Sequence, residues 1–207
     1  KGNTILKLCI GLMAVIFMLV VGALPAQAEV VFSEGFESGW GSWYADNGVW
    51  QIGTPTVGPG SCNGGSKCAG TVLDGNYPPD TDSRLISASI SNLPTVTGNE
   101  ELHLRFWHWF SYASCDGGQV QISVYDNATG TWSAWANIGN SIGADGSVWT
   151  LKDIDLTAYA GKKVRIAFSH TASSYYCAGE STGWYIDDII ISTPLVTYYC
   201  DNDNDGY

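Results

Sequence analysis

The sequence predicts an all-β protein, two antiparallel sheets packed face to face as a jelly-roll β-sandwich. Three observations predict it. Short runs of β-branched and aromatic residues recur from 29 to 193, divided by Gly, Pro, Asn and Asp turn signals. No segment sustains a helical period, and 156–160 suffices for one helical turn at most. About ten strands over about 165 residues are enough for two sheets with a core that does not depend on disulfides.

Taken in order, residues 30–36 open the set, followed by 40–43 and 49–52. Residues 53–70 read as a Gly/Pro/Ser loop carrying Cys62 and Cys68. In 83–91, Leu85, Ser87 and Ser89 alternate with Ile86, Ala88 and Ile90. The longest strand is 102–112, with Phe106, His108 and Phe110 on one face and Trp107 and Trp109 on the other. Residues 119–125 lead into a hairpin turn, Asp126-Asn127-Ala128-Thr129-Gly130. Then come 132–138, 148–155 and 163–169, and 183–192 closes the set.

That last strand reads Gly-Trp-Tyr-Ile-Asp-Asp-Ile-Ile-Ile-Ser. Regular alternation puts Trp184, Ile186 and Ile190 on one face and Tyr185, Ile189 and Ile191 on the other. A strand apolar on both faces belongs in the middle of a sheet, covered above and below. Asp187 and Asp188 at its centre therefore need partners, because an unpaired buried carboxylate is costly.

Residues 1–28 read as a secretory signal. Lys1 and Lys7 flank its start, 10–24 is apolar, and Ala26-Gln27-Ala28 supplies a small-x-small cleavage pattern. The apolar run is shorter than the roughly 20 residues of a bilayer span, so a secreted or cell-surface chain with no membrane span after signal removal is expected. Net charge is −11, and −13 without the two signal lysines. So acidic a chain disfavours nucleic acid and anionic membranes as partners and is compatible with divalent cations. With 26 Trp, Tyr and Phe residues it is too aromatic to be disordered.

Exported chains permit disulfides. Cys62 and Cys68 bracket a short loop and predict a local Cys62–Cys68 bridge. Cys115 and Cys177 each follow a Ser/Tyr-rich strand end and are paired as a cross-strand Cys115–Cys177 bridge. Cys200 is left over, its partner expected beyond residue 207.

Catalytic constellations are missing. The histidines are His103, His108 and His170, with no His-Glu-x-x-His and no Gly-x-Ser-x-Gly, which argues against a zincin peptidase and an α/β-hydrolase. The Cys62/Cys68 pair has no second pair with which to hold zinc. Adjacent strand residues face opposite ways, so Asp187 and Asp188 are not expected to flank one glycosidic bond. Glu34 and Glu37, three apart, fail for the same reason on a regular strand.

Several motifs, in order, resemble the MAM family and the related bacterial jelly-roll modules found behind secreted metallopeptidases of the immune inhibitor A type. Phe36-Glu37-Ser38-Gly39-Trp40 is similar to the opening Phe-Glu…Trp motif, and Val49-Trp50 to the Trp strand after it. The segment from Cys68 to Pro78 is similar to one recurring in the bacterial modules. Ser83-Arg84-Leu85-Ile86-Ser87 matches a Leu-x-Ser strand, Leu104-Arg105-Phe106-Trp107-His108-Trp109 a Phe-Trp-Tyr/His strand, and 183–189 a terminal Ile-Asp-Asp-Ile strand. The resemblance spans 32–192. The family's vertebrate cysteine pattern is absent, so vertebrate-type adhesive pairing is not implied.

The resemblance implies that the first and last strands lie side by side and share a structural calcium through Glu37 and Asp187, with Asp188 as the alternate. Hydrogen bonds to loop amides or to Arg84, Arg105 or Arg165 are the competing way to satisfy these acids. The tail after Thr193 resembles a thrombospondin type 3-like calcium repeat. Asp201, Asp203 and Asp205 alternate ahead of Gly206, as carboxylates converging on a hard cation do. Domain organisation is thus signal peptide 1–28, jelly-roll domain 29–193, and a linker with the start of an Asp-rich repeat over 194–207.

The expected function is a non-catalytic recognition, adhesion or accessory module of an exported, multidomain, bacterial protein, with an extracellular protein or glycan ligand. A carbohydrate-binding module is the alternative, with Trp107 and Trp109 as a stacking platform extended by Trp132, Trp135 and Tyr112. A glycoside hydrolase is the weaker third reading.

Overall fold

The computed structural model describes residues 29–98, 100–173 and 179–193. The signal segment, Cys177, Cys200, Asp201, Asp203 and Asp205 lie outside these described residues. The strands are β1 (Glu29–Glu34), β2 (Tyr44–Ala45), β3 (Gln51–Gly53), β4 (Cys68–Gly70), β5 (Thr81–Ile86), β6 (His103–Ser111), β7 (Gly117–Asp126), β8 (Thr131–Trp132), β9 (Ala136–Ile142), β10 (Asp145–Asp155), β11 (Val164–Ala172) and β12 (Gly183–Thr193). One 3-10 turn, Thr157–Tyr159, stands where a single helical turn is expected. Among the described residues no helix is long and apolar enough to cross a membrane.

The strands form two antiparallel sheets. One runs β10-β6-β12-β4-β3, with β1 also on β12. The other runs β2-β5-β11-β7-β8, with β9 also on β7. The fold is the expected two-sheet jelly-roll sandwich, and its first and last strands do pair, from Glu29↔Thr193 to Glu34↔Ile189.

Alternation along the central strands builds the core. Leu104 and Phe106 of β6 and Trp184 and Ile186 of β12 meet Val120 and Ile122 of β7 and Ile166 and Phe168 of β11. Phe168 packs edge-on against Trp184 at 5.5 Å and against Phe106 at 5.0 Å, the geometry that aromatic quadrupoles prefer. His108 and His170 are 5% and 0% exposed at the same inner faces.

Four strand expectations need correction. Residues 40–43 are a turn, because Gly39 and Gly41 adopt φ of 85° and 51° and the chain closes Gly39 N–Phe36 O and Trp43 N–Trp40 O bonds, both 2.8 Å. The turn drops Trp43 onto Phe168 and leaves Trp40 exposed. Inside the expected 53–70 loop lies β4, fully buried between β3 and β12. The expected 83–91 strand ends at Ile86, since the Ser87 hydroxyl takes over the bond from the Ile166 amide at 3.0 Å. The expected 132–138 strand is split at Ser133, whose hydroxyl caps the Val124 amide at 3.0 Å. Its two pieces, β8 and β9, share one edge of β7.

Candidate functional site

The two acids of β12 sit where that strand changes neighbours. Its edge pairs with β4 at Tyr185 and Ile186, then with β1 from Ile189 onward. On the opposite edge Asp187 pairs with Trp107 and Ile190 with Arg105, so β12 carries one extra residue there. This is a β-bulge, with Asp188 in the left-handed region at φ 47°. The bulge changes the strand's phase. Ile189 and Ile191 join Trp184 and Ile186 in the core, and Ile190 turns outward and is half-buried.

The opposite-face expectation for Asp187 and Asp188 is corrected accordingly. Both carboxylates reach the loop between Cys62 and Cys68. Asp187 accepts from the Gly64 amide at 3.0 Å and from the Asp188 amide at 2.8 Å. Asp188 accepts from Asn63 Nδ2 at 2.8 Å. Glu37, just beyond β1, accepts from the Ser66 and Lys67 amides at 2.8 and 2.9 Å and from Ser66 Oγ at 3.0 Å. The Cys62–Cys68 disulfide closes the same loop, with Cα atoms 5.6 Å apart. Cys115 is also disulfide-bonded, while its expected partner Cys177 lies outside the described residues.

The loop's composition follows from this contact. Gly65 has φ 57°, and a Cβ there would overlap the Glu37 carboxylate. A Cβ on Gly64 would come within 2.9 Å of Asp188 Oδ2. Asp187 is fully buried, and burial pushes its carboxyl up to about 6 against the pull of the Gly64 amide. The amides of Lys67 and Ser66 hold Glu37 below the usual carboxylate range.

The carboxylates at this junction offer oxygen donors only, as a hard cation requires. Yet among the described residues the one trio of metal-ligating atom types within 4.8 Å is Cys62, Cys68 and Asp187, and its two sulfurs are in a disulfide. As placed, no three of these carboxylates can touch one ion. The geometry is a latch of acids on loop amides.

Beside the latch, a cleft of about 510 Å³ opens on the outer face of the β6/β12 sheet, lined among others by Glu34, Glu37, Asp188, Arg105 and Trp107. Acids held apart by sequence reasoning thus share one cleft. A glycosidase also needs a carboxyl with a raised pKa at the bond it protonates. The carboxyl pushed up here, Asp187, is buried under the loop and does not line the cleft.

The aromatics divide differently from the expected platform. Trp107 is half-buried at the cleft, while Trp109 is 9% exposed and packs edge-on to Tyr185 at 5.5 Å beneath the loop. Trp149, which sequence reasoning passed over, ties that loop down by donating to Ser61 O at 3.2 Å. Tyr112 is buried in the core, Trp132 is on β8 of the other sheet, and Trp135 is in the link from β8 to β9, so none of them extends a Trp107 platform.

That other sheet carries a second face. Its outer side carries Asp82 and Arg84 on β5, Arg165 and Thr171 on β11, Gln119 and Gln121 on β7, and Asn137 on β9, with Ala167, Ser169 and Ser123 buried among them. A groove of about 450 Å³ includes Arg84, Gln119, Gln121, Asn137 and Ser169 in its lining. Planar polar groups cross it in sequence: Arg84 Nε donates to Gln121 Oε1 at 2.8 Å, and Gln121 Nε2 to Asn137 Oδ1 at 2.9 Å. Asp46 and Asp82 lie 3.4 and 3.7 Å from the Arg84 guanidinium. The row beyond is aromatic and cationic. Arg165 lies over the rings of Trp132 and Trp135 at 4.1 and 5.1 Å, and Lys163 over Tyr125 at 4.2 Å. Exposed Tyr44, opposite Ile86, completes it.

No protein-family model matches the chain. It is 31% identical over 163 residues to Bacillopeptidase F of Bacillus subtilis (strain 168), a match covering 78% of this chain and 10% of that protein. The chain therefore spans about a tenth of the length of this curated relative. The CBM22-1 xylan-binding domain of Paenibacillus barcinonensis Xyn10C is similar in structure, at 12% identity, 80% and 95% coverage and TM-score 0.50. So are the CBM22-1-GH10 modules of Clostridium thermocellum xylanase 10B, complexed with xylohexaose, at 12% identity, 84% and 30% coverage and TM-score 0.52. At these identities what is shared is the fold.

Proposed function

We propose that the chain is a non-catalytic recognition module of an exported multidomain protein, and that the outer face of the β7/β11 sheet binds a carbohydrate chain. The observation carrying the proposal is the hydrogen-bonded row of Arg84, Gln121 and Asn137 across three strands, continued by Tyr44, Trp132 and Trp135. Sugars are recognised by planar polar groups beside aromatic rings, and an open groove on a rigid sheet presents both. The shared fold with a xylan-binding domain and the partial likeness to Bacillopeptidase F support an accessory role beside an enzyme. The MAM-like reading has the β1–β12 pairing as its support.

Affinity electrophoresis on a panel of soluble polysaccharides tests this. The wild-type chain is retarded by at least one glycan, and Gln121→Ala/Asn137→Ala abolishes the retardation without changing the melting temperature by more than a few degrees. Retardation that survives this double variant, or none with any glycan, sinks the proposal.

A structural calcium at Glu37, Asp187 and Asp188 is its second part, supported by the all-oxygen donor set. Binding requires the 63–67 loop to give up amide bonds. A cation bound to the folded state alone stabilises it, so excess EDTA lowers the melting temperature and added calcium restores it. An unchanged curve leaves the acids as a loop latch only.

A further inference from the structure

We propose that the row of Tyr44, Tyr125, Trp132, Trp135, Lys163 and Arg165 is a subsite for the carboxylate of an acidic sugar, so that the ligand is a glycan containing uronic acid. This rests on the carbohydrate reading of the same face. Acids outnumber bases in the chain 20 to 9, yet among the described residues neither Arg165 nor Lys163 has a carboxylate partner. The ion pairs among the described residues all involve Arg84, His103 or Arg105. Arg165 is held in place by its two indoles, with its Nε enclosed and without an acceptor. Its NH1 reaches only the Tyr44 hydroxyl, at 3.5 Å. The guanidinium therefore keeps donors to spare, because the acids beside this face, Asp46 and Asp82, are engaged by Arg84.

Lys163 stands two residues before Arg165, just ahead of β11, with its ammonium 4.2 Å from the Tyr125 ring and 5.8 Å from Trp132. Two residues of strand separate the pair by about 6.7 Å. A fixed guanidinium presents a fork that matches a carboxylate, and a nearby ammonium adds a point charge. The stacked aromatics keep the site dry on one side, which strengthens both. The groove that leads here carries Arg84 already neutralised by Asp46 and Asp82. Selection for the acidic sugar thus falls at the Arg165 end, while Gln119, Gln121 and Asn137 contact hydroxyls of neighbouring residues.

The test titrates the wild-type chain and the Arg165→Gln, Lys163→Gln and Arg165→Lys variants by calorimetry. The probes are polygalacturonate, its methyl ester, a sulfated galactan and neutral xylan, at low and high salt, with circular dichroism confirming that each variant folds. Polygalacturonate is expected to bind the wild type, to lose roughly tenfold or more on esterification or in Arg165→Gln, and to weaken with salt. Lys163→Gln loses less, and Arg165→Lys recovers part of the loss. Xylan bound as well as polygalacturonate, with no change in the variants, overturns the subsite and leaves the carbohydrate reading standing. Preference for the sulfated chain overturns the carboxylate assignment, and a wild type that binds none of the four overturns both readings.

Discussion

Acidification should loosen this sandwich from inside, through His108 and His170. Both are buried at the inner faces, and burial pushes each down to about 4, with Lys152 adding to the effect at His108 and Asp116 opposing it at His170. His170 Nδ1 lies 3.1 Å from the Tyr112 hydroxyl, while its Nε2 and His108 Nδ1 have no hydrogen-bond partner among the described residues. Both rings are thus neutral in the fold at pH 7. An unfolded histidine takes up its proton near 6.5. The stability from the neutral rings is complete above 6.5 and is lost as pH falls towards about 4. At about 1.4 kcal/mol per pH unit this is roughly 3 kcal/mol for each histidine.

Two groups work the other way. Asp187, raised to about 6, favours the fold below pH 3.8 and loses that contribution as pH rises through 6. Burial opposes the charge on His103, but Asp153 and Glu101 outweigh it, and the net raised pKa stabilises the fold below 6.5. Guanidinium denaturation followed by tryptophan fluorescence between pH 7 and 4 measures the balance. Wild-type stability should fall with acid, and His108→Gln or His170→Gln should each flatten the slope by up to about 1.4 kcal/mol per pH unit. A slope unchanged in both variants, or the ring protons of His108 and His170 titrating near 6.5 in the native state by NMR, refutes the reasoning.

Gly65→Ala should cost about 2 kcal/mol or more, because its φ is positive and the added methyl displaces Glu37; thermal melts with and without Glu37→Ala check it, the second change relieving part of the first. Trp109→Ala should destabilise by roughly 3–5 kcal/mol, as loss of a buried indole does, and half-buried Trp107→Ala by less than half as much in the same melts. A variant lacking the Cys62–Cys68 bridge, Cys62→Ala/Cys68→Ala, should lose roughly 2 kcal/mol in denaturant titration, as expected for so short a loop.

The strand inventory was legible because alternation is a property of neighbouring residues. The inward set Leu104, Phe106, Val120, Ile122, Ile166 and Phe168 follows from period two alone, and so does the β1–β12 pairing once the motif order is recognised. Elements made by contact were not legible. Cys68–Gly70 has no strand propensity of its own; it is a strand because β12 and β3 flank it. The phase of β12 was misread for a related reason. Nothing in Ile-Asp-Asp-Ile announces a bulge, which exists because the edge of β12 passes from β4 to β1 at that point.

The same distinction applies to the proposed ligand face. Trp107 and Trp109 drew attention because they are close in sequence, but sequence proximity on a strand says only that two side chains share a face. One of them is a packing residue under a loop. The proposed face is assembled from Arg84, Gln121 and Asn137 in the groove and Arg165 beyond it, each an unremarkable polar residue in its own strand, and pairing aligns them. A faint signal was present: Gln119-Val-Gln-Ile-Ser-Val-Tyr125 alternates amides and hydroxyls against aliphatics, so one face of β7 had to be polar yet flat. Which cations would lie on that face, and that no acid would answer two of them, is set by the order β5-β11-β7. The proposed recognition face therefore depends on strand order as much as on any motif, and in so acidic a chain the charge of Arg165 and Lys163, unpaired among the described residues, is the feature to pursue.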